Sequence, residues 1–160
     1  MRSQHRNGST LVAALLVSVV LLIAGLGFLG QRAAQNRAVN ASILKLRSRA
    51  LAEAGLQDAI QKLSKDGQFP PLFADKQFEF SYLETIAGVG NYTVTVDITH
   101  RQPPYAIIRL TSTGRVGTPD TPQSDTQLTA ELDVAPLARG TSNPNPNFFR
   151  LLYVRTSRPF

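Results

Sequence analysis

Residues 11–30 contain no ionisable side chain, and this run most constrains what the chain can fold into. As an α-helix with a rise of about 1.5 Å per residue, it would be roughly 30 Å long, which is the thickness of a bilayer's hydrocarbon core. A short hydrophilic leader with Arg2, His5 and Arg6 precedes it. The sequence therefore predicts a chain that is attached to a membrane or delivered through one.

Three interpretations of the leader and the apolar run compete. A secretory signal peptide has an apolar core of about 7–15 residues and a small-residue cleavage site, which Ala24, Gly25 and Gly27 could supply. A transmembrane anchor needs about 20 apolar residues, which fits the length of the run. In a third class of signal, a peptidase cleaves after a glycine on the cytoplasmic side, and the apolar run stays in the mature protein.

The residues around Gly8 favour the third interpretation. Residues 6–12 read Arg-Asn-Gly-Ser-Thr-Leu-Val, and they resemble the class III signal of type IV pilins, in which a basic leader ends in glycine before an aliphatic run. The resemblance implies a prepilin cleavage site between Gly8 and Ser9. The residues that it places on the membrane or filament side of the helix are Leu11, Val12, Leu15, Leu16, Val19, Leu22 and Leu26.

The chain departs from the pilin pattern at two positions. The first mature residue would be Ser9, where phenylalanine or methionine is usual, and the fifth would be Ala13, where glutamate is most often found. In the family that carboxylate is thought to pair with the amino terminus of the neighbouring subunit. Because a lone carboxylate in hydrocarbon is costly and is kept for a reason, its absence indicates a minor, initiating or tip subunit, as in the K-type tip pseudopilin of type II secretion.

The helical pattern continues over residues 31–65, which contain no proline, and a stop signal follows at Asp66-Gly67. Apolar residues recur at helical spacing, first as Val39, Ile43, Leu46 and Ala50, and the stripe resumes with Leu56, Ile60 and Leu63. We expect the second half of this segment to pack on the chain's own sheet. Joined to the apolar run, the helix would have about 50 residues, longer than a domain of this size needs.

Residues 52–56 read Ala-Glu-Ala-Gly-Leu. This segment resembles the corresponding part of X-type minor pilins and K-type pseudopilins, and it lies at the distance from the leader where that family carries it. Residues 111–115, followed by a Leu-x-Ala-x-Leu strand, are also similar to X-type minor pilins. Together these resemblances imply a pilin-like subunit.

After residue 68 the apolar residues alternate with period two, as in half-buried strands. The pattern predicts strands at 78–82, 91–99, 105–113 and 127–134, with a loop at 114–126. Residues 138–147 resemble a linker, and 148–155 predict either an edge strand or an exposed tail that docks on a neighbour. Because a single antiparallel sheet must cover its apolar face, the expected fold is α+β, a long N-terminal helix packed on a small antiparallel sheet, as in pilins.

Charge is unevenly distributed along the chain. The formal net charge is +6, yet residues 1–52 hold seven Lys or Arg and no acidic residue, and all 11 acidic residues lie between Glu53 and Asp133. A basic arm beside a bilayer predicts a surface for lipid headgroups or a partner. Nucleic-acid binding is not expected, because residues 53–135 lack a basic patch with aromatic residues. Flanking charge alone would place the N-terminus on the outer side of the membrane, whereas the prepilin interpretation places the leader in the cytoplasm.

Residue types suited to catalysis or metal binding are scarce. The sequence has no cysteine and two histidines, His5 and His100, and it shows no nucleophile–base pair, clustered carboxylates or glycine-rich phosphate loop. We therefore expect no enzyme activity, no cofactor and no metal site. His100 is expected to be a solvated turn residue.

The sequence thus predicts five segments: a prepilin leader at 1–8, the membrane or filament half of the helix at 9–30, its amphipathic half at 31–66, an antiparallel β domain at 67–137, and a linker with a C-terminal apolar-basic segment at 138–160. The predicted function is assembly, as a minor pilin or pseudopilin. The alternative is a membrane-anchored exported domain that binds a partner and does not polymerise.

The predicted location is the inner membrane, crossed once, with the C-terminal domain outside the cytoplasm and a surface or periplasmic filament after assembly. The expected partners are the lipid bilayer, a prepilin peptidase, an inner-membrane assembly platform and other pilins or pseudopilins.

Overall fold

The computed structural model describes residues 6–66, 69–70, 78–118 and 120–157. Helix α1 runs from Arg6 to Lys65 and has 60 residues. Five strands follow: β1 (Glu79–Ile86), β2 (Gly90–Asp97), β3 (Ile107–Gly117), β4 (Pro122–Asp133) and β5 (Arg150–Ser157). By its internal contacts the chain divides into two units, Met1–Ser42 and Ile43–Phe160.

The five strands form one antiparallel sheet in the order β1-β2-β3-β4-β5. Each strand therefore pairs with the strand that precedes or follows it in sequence, and β1 and β5 are the two edges. The turn between β1 and β2 is tight, and Gly88 and Gly90 have φ angles of 73° and 153°. Glycine adopts such angles without a steric clash at Cβ, so the turn depends on these two residues.

The C-terminal part of α1 covers one face of this sheet within the unit Ile43–Phe160. Leu51 is buried at the start of this part, and the helix residues of the core cluster, which are Ala52, Leu56, Ala59 and Leu63, follow helical spacing. They pack against alternate residues of the three central strands, which are Val94, Val96, Ile108, Leu110, Leu128, Ala130 and Leu132. The predicted α+β fold, with a long N-terminal helix packed on an antiparallel sheet, is confirmed.

Small residues allow the helix and the sheet to approach closely. A Cβ at Gly114 of β3 would collide with the backbone oxygen of Ser48 and the backbone nitrogen of Ala52. A Cβ at Gly55 of α1 would collide with the hydroxyl of Ser112 on β3. The helix therefore crosses β3 at a point where neither surface has room for another methyl group.

Hydroxyl groups continue this contact toward β4. The Ser48 hydroxyl donates to the carbonyl of Lys45 (2.9 Å) and lies 2.7 Å from the Thr126 hydroxyl. The Lys45 ammonium donates to the carbonyl of Asp125 at 2.9 Å. Ser48 and Thr126 are both fully buried, so their mutual hydrogen bond satisfies polar groups that the close approach removes from water.

The prediction of a loop over residues 114–126 is wrong. β3 continues to Gly117 and β4 begins at Pro122, so only residues 118–121 lie between the two strands. Gly114 pairs with Thr126 across the sheet. Both residues resemble loop residues in the sequence, but here the contact with α1 requires a glycine at one position and a hydroxyl group at the other.

Residues 150–157 form β5, which pairs with β4. The prediction of an edge strand for the C-terminal segment is therefore confirmed, and the alternative of an exposed tail is wrong. The register shifts between Glu131 and Leu132, so Leu152 is an additional residue on β5 with no partner on β4. Such a bulge bends a strand at the rim of a sheet.

Residues 138–147, which resemble a linker in the sequence, are held against the domain by the buried carboxylate of Asp133. This carboxylate accepts hydrogen bonds from the Ala135 backbone N–H (3.0 Å) and the Arg139 guanidinium (2.9 Å). The same guanidinium donates to the carbonyl of Tyr105 at 2.7 Å. The Asn145 side chain donates to the carbonyl of Ala135 at 2.9 Å. The connection between β4 and β5 is thus fixed at both of its ends.

Candidate assembly surface on the N-terminal helix

The N-terminal part of α1 is apolar on all sides and exposed. The seven residues predicted to face a membrane or a filament range from 47% exposed at Val19 to 68% exposed at Leu11. The other five, Val12, Leu15, Leu16, Leu22 and Leu26, lie between these two values. A helix that is apolar all round is buried in lipid or in protein in its working state. Among the described residues, α1 is the one helix long and apolar enough to cross a membrane.

The predicted cleavage site and the position of the usual glutamate lie at the start of this helix. Because α1 begins at Arg6, the backbone of Gly8 and Ser9 is helical, and residues 1–5 of the leader lie outside the described residues. Ala13 is exposed, as are the residues that follow it. Cleavage between Gly8 and Ser9 stays a prediction.

A second apolar surface lies on α1 within the unit Ile43–Phe160, on the side turned away from the sheet. We name it the outer helix stripe, and it consists of Ile43, Leu46 and Ala50. Ile43 is 42% exposed and Leu46 is 67% exposed. At about 100° per residue, the stripe lies opposite Ser48 and Ala52, which face the sheet. This apolar surface therefore has no partner among the described residues of its own unit.

The sequence predicts that Leu56, Ile60 and Leu63 continue the stripe that begins with Val39, Ile43, Leu46 and Ala50. This prediction is wrong, because the two sets of residues lie on different sides of α1. Leu56 and Leu63 are buried and Ile60 packs against the core, as expected. Toward the N-terminus the sheet-facing side continues through Leu51 and through three small residues, which are Ser48, Ala52 and Gly55. The signal that could have identified this side is the recurrence of small residues at helical spacing.

A polar cluster ties the helix to the edge strand β1. The Asp58 carboxylate accepts hydrogen bonds from the Lys62 ammonium and from the Tyr82 hydroxyl, both at 2.8 Å. The Lys62 ammonium also lies 3.8 Å from the centroid of the Tyr82 ring. Burial alone would raise the pKa of Asp58, but the hydrogen bonds from Lys62 and Tyr82 outweigh it and hold that pKa below its usual value. Burial and the hydrogen bond to Asp58 raise the pKa of Tyr82 well above its ordinary range.

The face of the sheet opposite α1 carries a row of charged residues. Arg109 donates to the Glu131 carboxylate at 3.1 Å, and the two residues pair across β3 and β4. These two residues also line a cleft of about 30 Å³, together with Asp97, His100 and Ile107. His100 is an exposed turn residue whose ring lies 5.1 Å from that of Tyr105.

In the described part of the chain, no three His, Cys, Asp or Glu residues are grouped as metal ligands would be.

Comparisons with protein-family models, curated proteins and solved structures found no match for this chain. The observations that bear on its function are the apolar helix, the outer helix stripe and the sheet.

Proposed function

We propose that this chain is a pilin-like assembly subunit, either a minor pilin of a type IV pilus or a pseudopilin of a type II secretion system. One observation carries the proposal: a single helix has two different environments. Residues 11–43 of α1 are exposed throughout, whereas Ser48, Leu56 and Leu63 are buried against the sheet. An apolar helix of this length requires a bilayer or neighbouring helices around it.

Both environments are useful to a subunit that leaves a membrane to join a filament. In the bilayer, the apolar half of α1 would be covered by lipid, since it contains no ionisable residue from Leu11 to Gly30. In a filament, the same side chains would be covered by the helices of neighbouring subunits. The outer helix stripe would add to this contact, since Leu46 is exposed on the side of α1 away from the sheet.

The residue at position 13 favours a particular place in such a filament. Ala13 provides no carboxylate for the amino terminus of a neighbour, so we propose a minor, initiating or tip subunit. We place it in the inner membrane, with one crossing and the C-terminal domain outside the cytoplasm. The proposed partners are a prepilin peptidase, an inner-membrane assembly platform and other pilins or pseudopilins.

The first experiment is to determine the N-terminus of the chain purified from its native cells, by intact mass and peptide mapping. Processing as a prepilin predicts a chain that starts at Ser9, with or without an N-methyl group. The variant Gly8→Leu is expected to keep its leader. The matched control is Gly27→Leu, which alters a glycine of the same helix. Apart from neighbouring residues and the nearby helix backbone, no described atom lies within 4 Å of its Cβ position, and this variant is expected to be processed normally.

The alternative function is a membrane-anchored exported domain that does not polymerise. It predicts a chain that retains Met1 and is unaffected by Gly8→Leu. A chain that starts beyond Ala24 would instead identify an ordinary signal peptide. Either result would overturn the proposed prepilin processing.

A further inference from the structure

The two edge strands of the sheet carry opposite charges. β1 contains Glu79 and Glu84 and no basic residue, and β5 contains Arg150 and Arg155 and no acidic residue. Within the sheet of described strands, β1 pairs only with β2 and β5 only with β4. Each edge therefore has a row of backbone N–H and C=O groups on its outer side, where another strand could pair.

Exposed apolar side chains accompany these charges on both edges. On β1, Leu83 is 48% exposed, and on β5, Leu152 and Val154 are 42% and 50% exposed. An edge strand with exposed apolar residues is a template for pairing with another strand. Charged residues and a bulge can also protect an edge from pairing, and cross-linking distinguishes the two roles.

We infer that β5 of one chain adds to β1 of a second copy of this chain, extending the sheet from one molecule to the next. Charge favours this pairing over a symmetric one. If two copies of β5 met about a two-fold axis with Tyr153 opposite its own copy, Arg150 would lie opposite Arg155. If two copies of β1 met in the same way, the seam would hold the two Glu79 carboxylates on one face and the two Glu84 carboxylates on the other. Like charges on paired strands are unfavourable.

The direction of the added strand follows from the topology. In an antiparallel sheet of five strands in sequence order, β1 and β5 run in the same direction. A second copy of the unit Ile43–Phe160 that is related mainly by translation has its strands and its part of α1 oriented as in the first. β5 and the β1 of the next copy then pair in parallel.

The faces of the two strands set the register of this pairing. Glu79 pairs with Asp97 and Arg150 pairs with Asp133. Asp97 follows the core residue Val96 and Asp133 follows the core residue Leu132, so both aspartates point away from α1. Residues that pair across strands share a face, so Glu79 and Arg150 also lie on the sheet face away from α1. Placing Glu79 opposite Arg150 therefore keeps each face continuous and joins opposite charges.

The bulge at Leu152 determines which residues meet further along the seam. Leu152 has no partner on β4, so in the ladder of paired residues Tyr153 follows Leu151 directly. Tyr153 therefore lies on the same face as Arg150, away from α1, and opposite Ser81 of the next copy. Val154 then lies opposite Tyr82 on the face that α1 covers. The apolar side chain of Val154 would thus be covered by the next copy.

Such a contact is head-to-tail, so it leaves one edge open at each end and can continue to further copies. The contact involves β1 and β5 and does not depend on cleavage at Gly8 or on the apolar half of α1. Its failure can therefore be distinguished from failure of the proposed function.

Disulfide cross-linking of the full chain in detergent tests the inference, because the sequence contains no cysteine to interfere. The two single variants are Ser81→Cys and Tyr153→Cys, both at exposed positions. We expect a cross-linked dimer when the two are mixed under oxidising conditions, and little cross-linking in either variant alone. The matched control mixes Ser81→Cys with Val154→Cys, which lies on the other face and should give at most a tenth of the yield.

Two outcomes would overturn the inference. Cross-linking of Tyr153→Cys alone would indicate β5–β5 pairing, in which Tyr153 lies opposite its own copy. Monomers in every mixture would indicate that the charges and the bulge protect the edges instead.

Charge reversal tests the pairing itself. Adding Arg150→Glu to the Tyr153→Cys chain should lower the yield of the mixed dimer by about threefold. Adding Glu79→Arg to the Ser81→Cys chain should then restore the yield, because the pair is again of opposite charge. A yield of mixed dimer that stays the same after both changes would contradict the inferred register.

Discussion

Gly114 of β3 lies directly against the backbone of α1 at Ala52, so that a Cβ on Gly114 would collide with the Ala52 nitrogen. The contact sets the distance between the helix and the sheet, since backbone on both sides cannot give way as a flexible side chain can. The packing of the buried residues around it depends on this distance.

Gly114→Ala is expected to destabilise the domain by about 3 kcal/mol, because the added methyl group forces the helix away from the sheet. Urea unfolding followed by circular dichroism measures the loss. The control is Thr113→Ala, a neighbouring position on the opposite face of β3, which is expected to cost much less. Equal losses for the two variants would contradict the close contact.

Gly55→Ala is expected to destabilise the domain through the hydroxyl of Ser112, the atom nearest to the added methyl group. The Ser112 hydroxyl is buried without a hydrogen-bond partner among the described residues, so Ser112→Ala alone should be neutral or stabilising. The double variant should recover about 1 kcal/mol of the loss caused by Gly55→Ala. Strict additivity in a double-mutant cycle would argue against this contact.

The Asp58 cluster makes stability depend on pH in acid. The pKa of Asp58 is lowered in the folded protein, so its contribution is present above the unfolded value near 3.8 and is lost as pH falls through the folded pKa. Asp58→Asn should therefore flatten the fall of stability below about pH 4, measured by thermal unfolding over a pH series. The pKa of Asp133 is also lowered, so protonation of Asp133 also reduces stability in acid. Asp58→Asn should keep this part of the loss. A curve that Asp58→Asn leaves unchanged would contradict the role of this carboxylate.

Arg139→Ala is expected to cost about 2 kcal/mol, because it leaves the buried Asp133 carboxylate without its cationic partner. Adding Asp133→Asn should recover part of the loss by removing the unpaired charge. Arg49→Ala serves as the control, since the Arg49–Glu53 pair is exposed on the helix and should contribute less than about 0.5 kcal/mol. Thermal unfolding of the four chains measures both effects, and a loss for Arg139→Ala no larger than the control's would refute the prediction.

The long helix and the alternating strands can be predicted from the sequence because each depends on local periodicity. The apolar run and the absence of proline indicate one continuous helix, and residues 91–99 alternate clearly enough to identify β2. The sequence predicts that the first strand ends at residue 82, whereas β1 extends to Ile86. This extension depends on pairing with β2, which local periodicity does not contain.

Contacts between distant residues cannot be predicted in the same way. Gly114 and Thr126 resemble loop residues until the helix that packs on them is known. Arg139 similarly resembles a linker residue, because nothing in the local sequence pattern shows that it pairs with Asp133 at the end of β4.

The sheet-facing side of α1 is hidden in the sequence for a related reason. Large apolar residues dominate the helical pattern, so the outer helix stripe is mistaken for the start of the sheet-facing side. The contact is made by Leu51 together with Ser48, Ala52 and Gly55, and the small size of these three matters only because β3 lies close to them.

The strand order of the sheet has a consequence for how the domain forms. Every strand pairs only with its sequence neighbours, so contacts within the sheet span short stretches of chain and close small loops. The helix that covers the sheet is also synthesised before any strand. A chain that emerges N-terminus first can therefore add β1 to β5 one at a time onto a helix that is already present, without waiting for a distant segment to arrive.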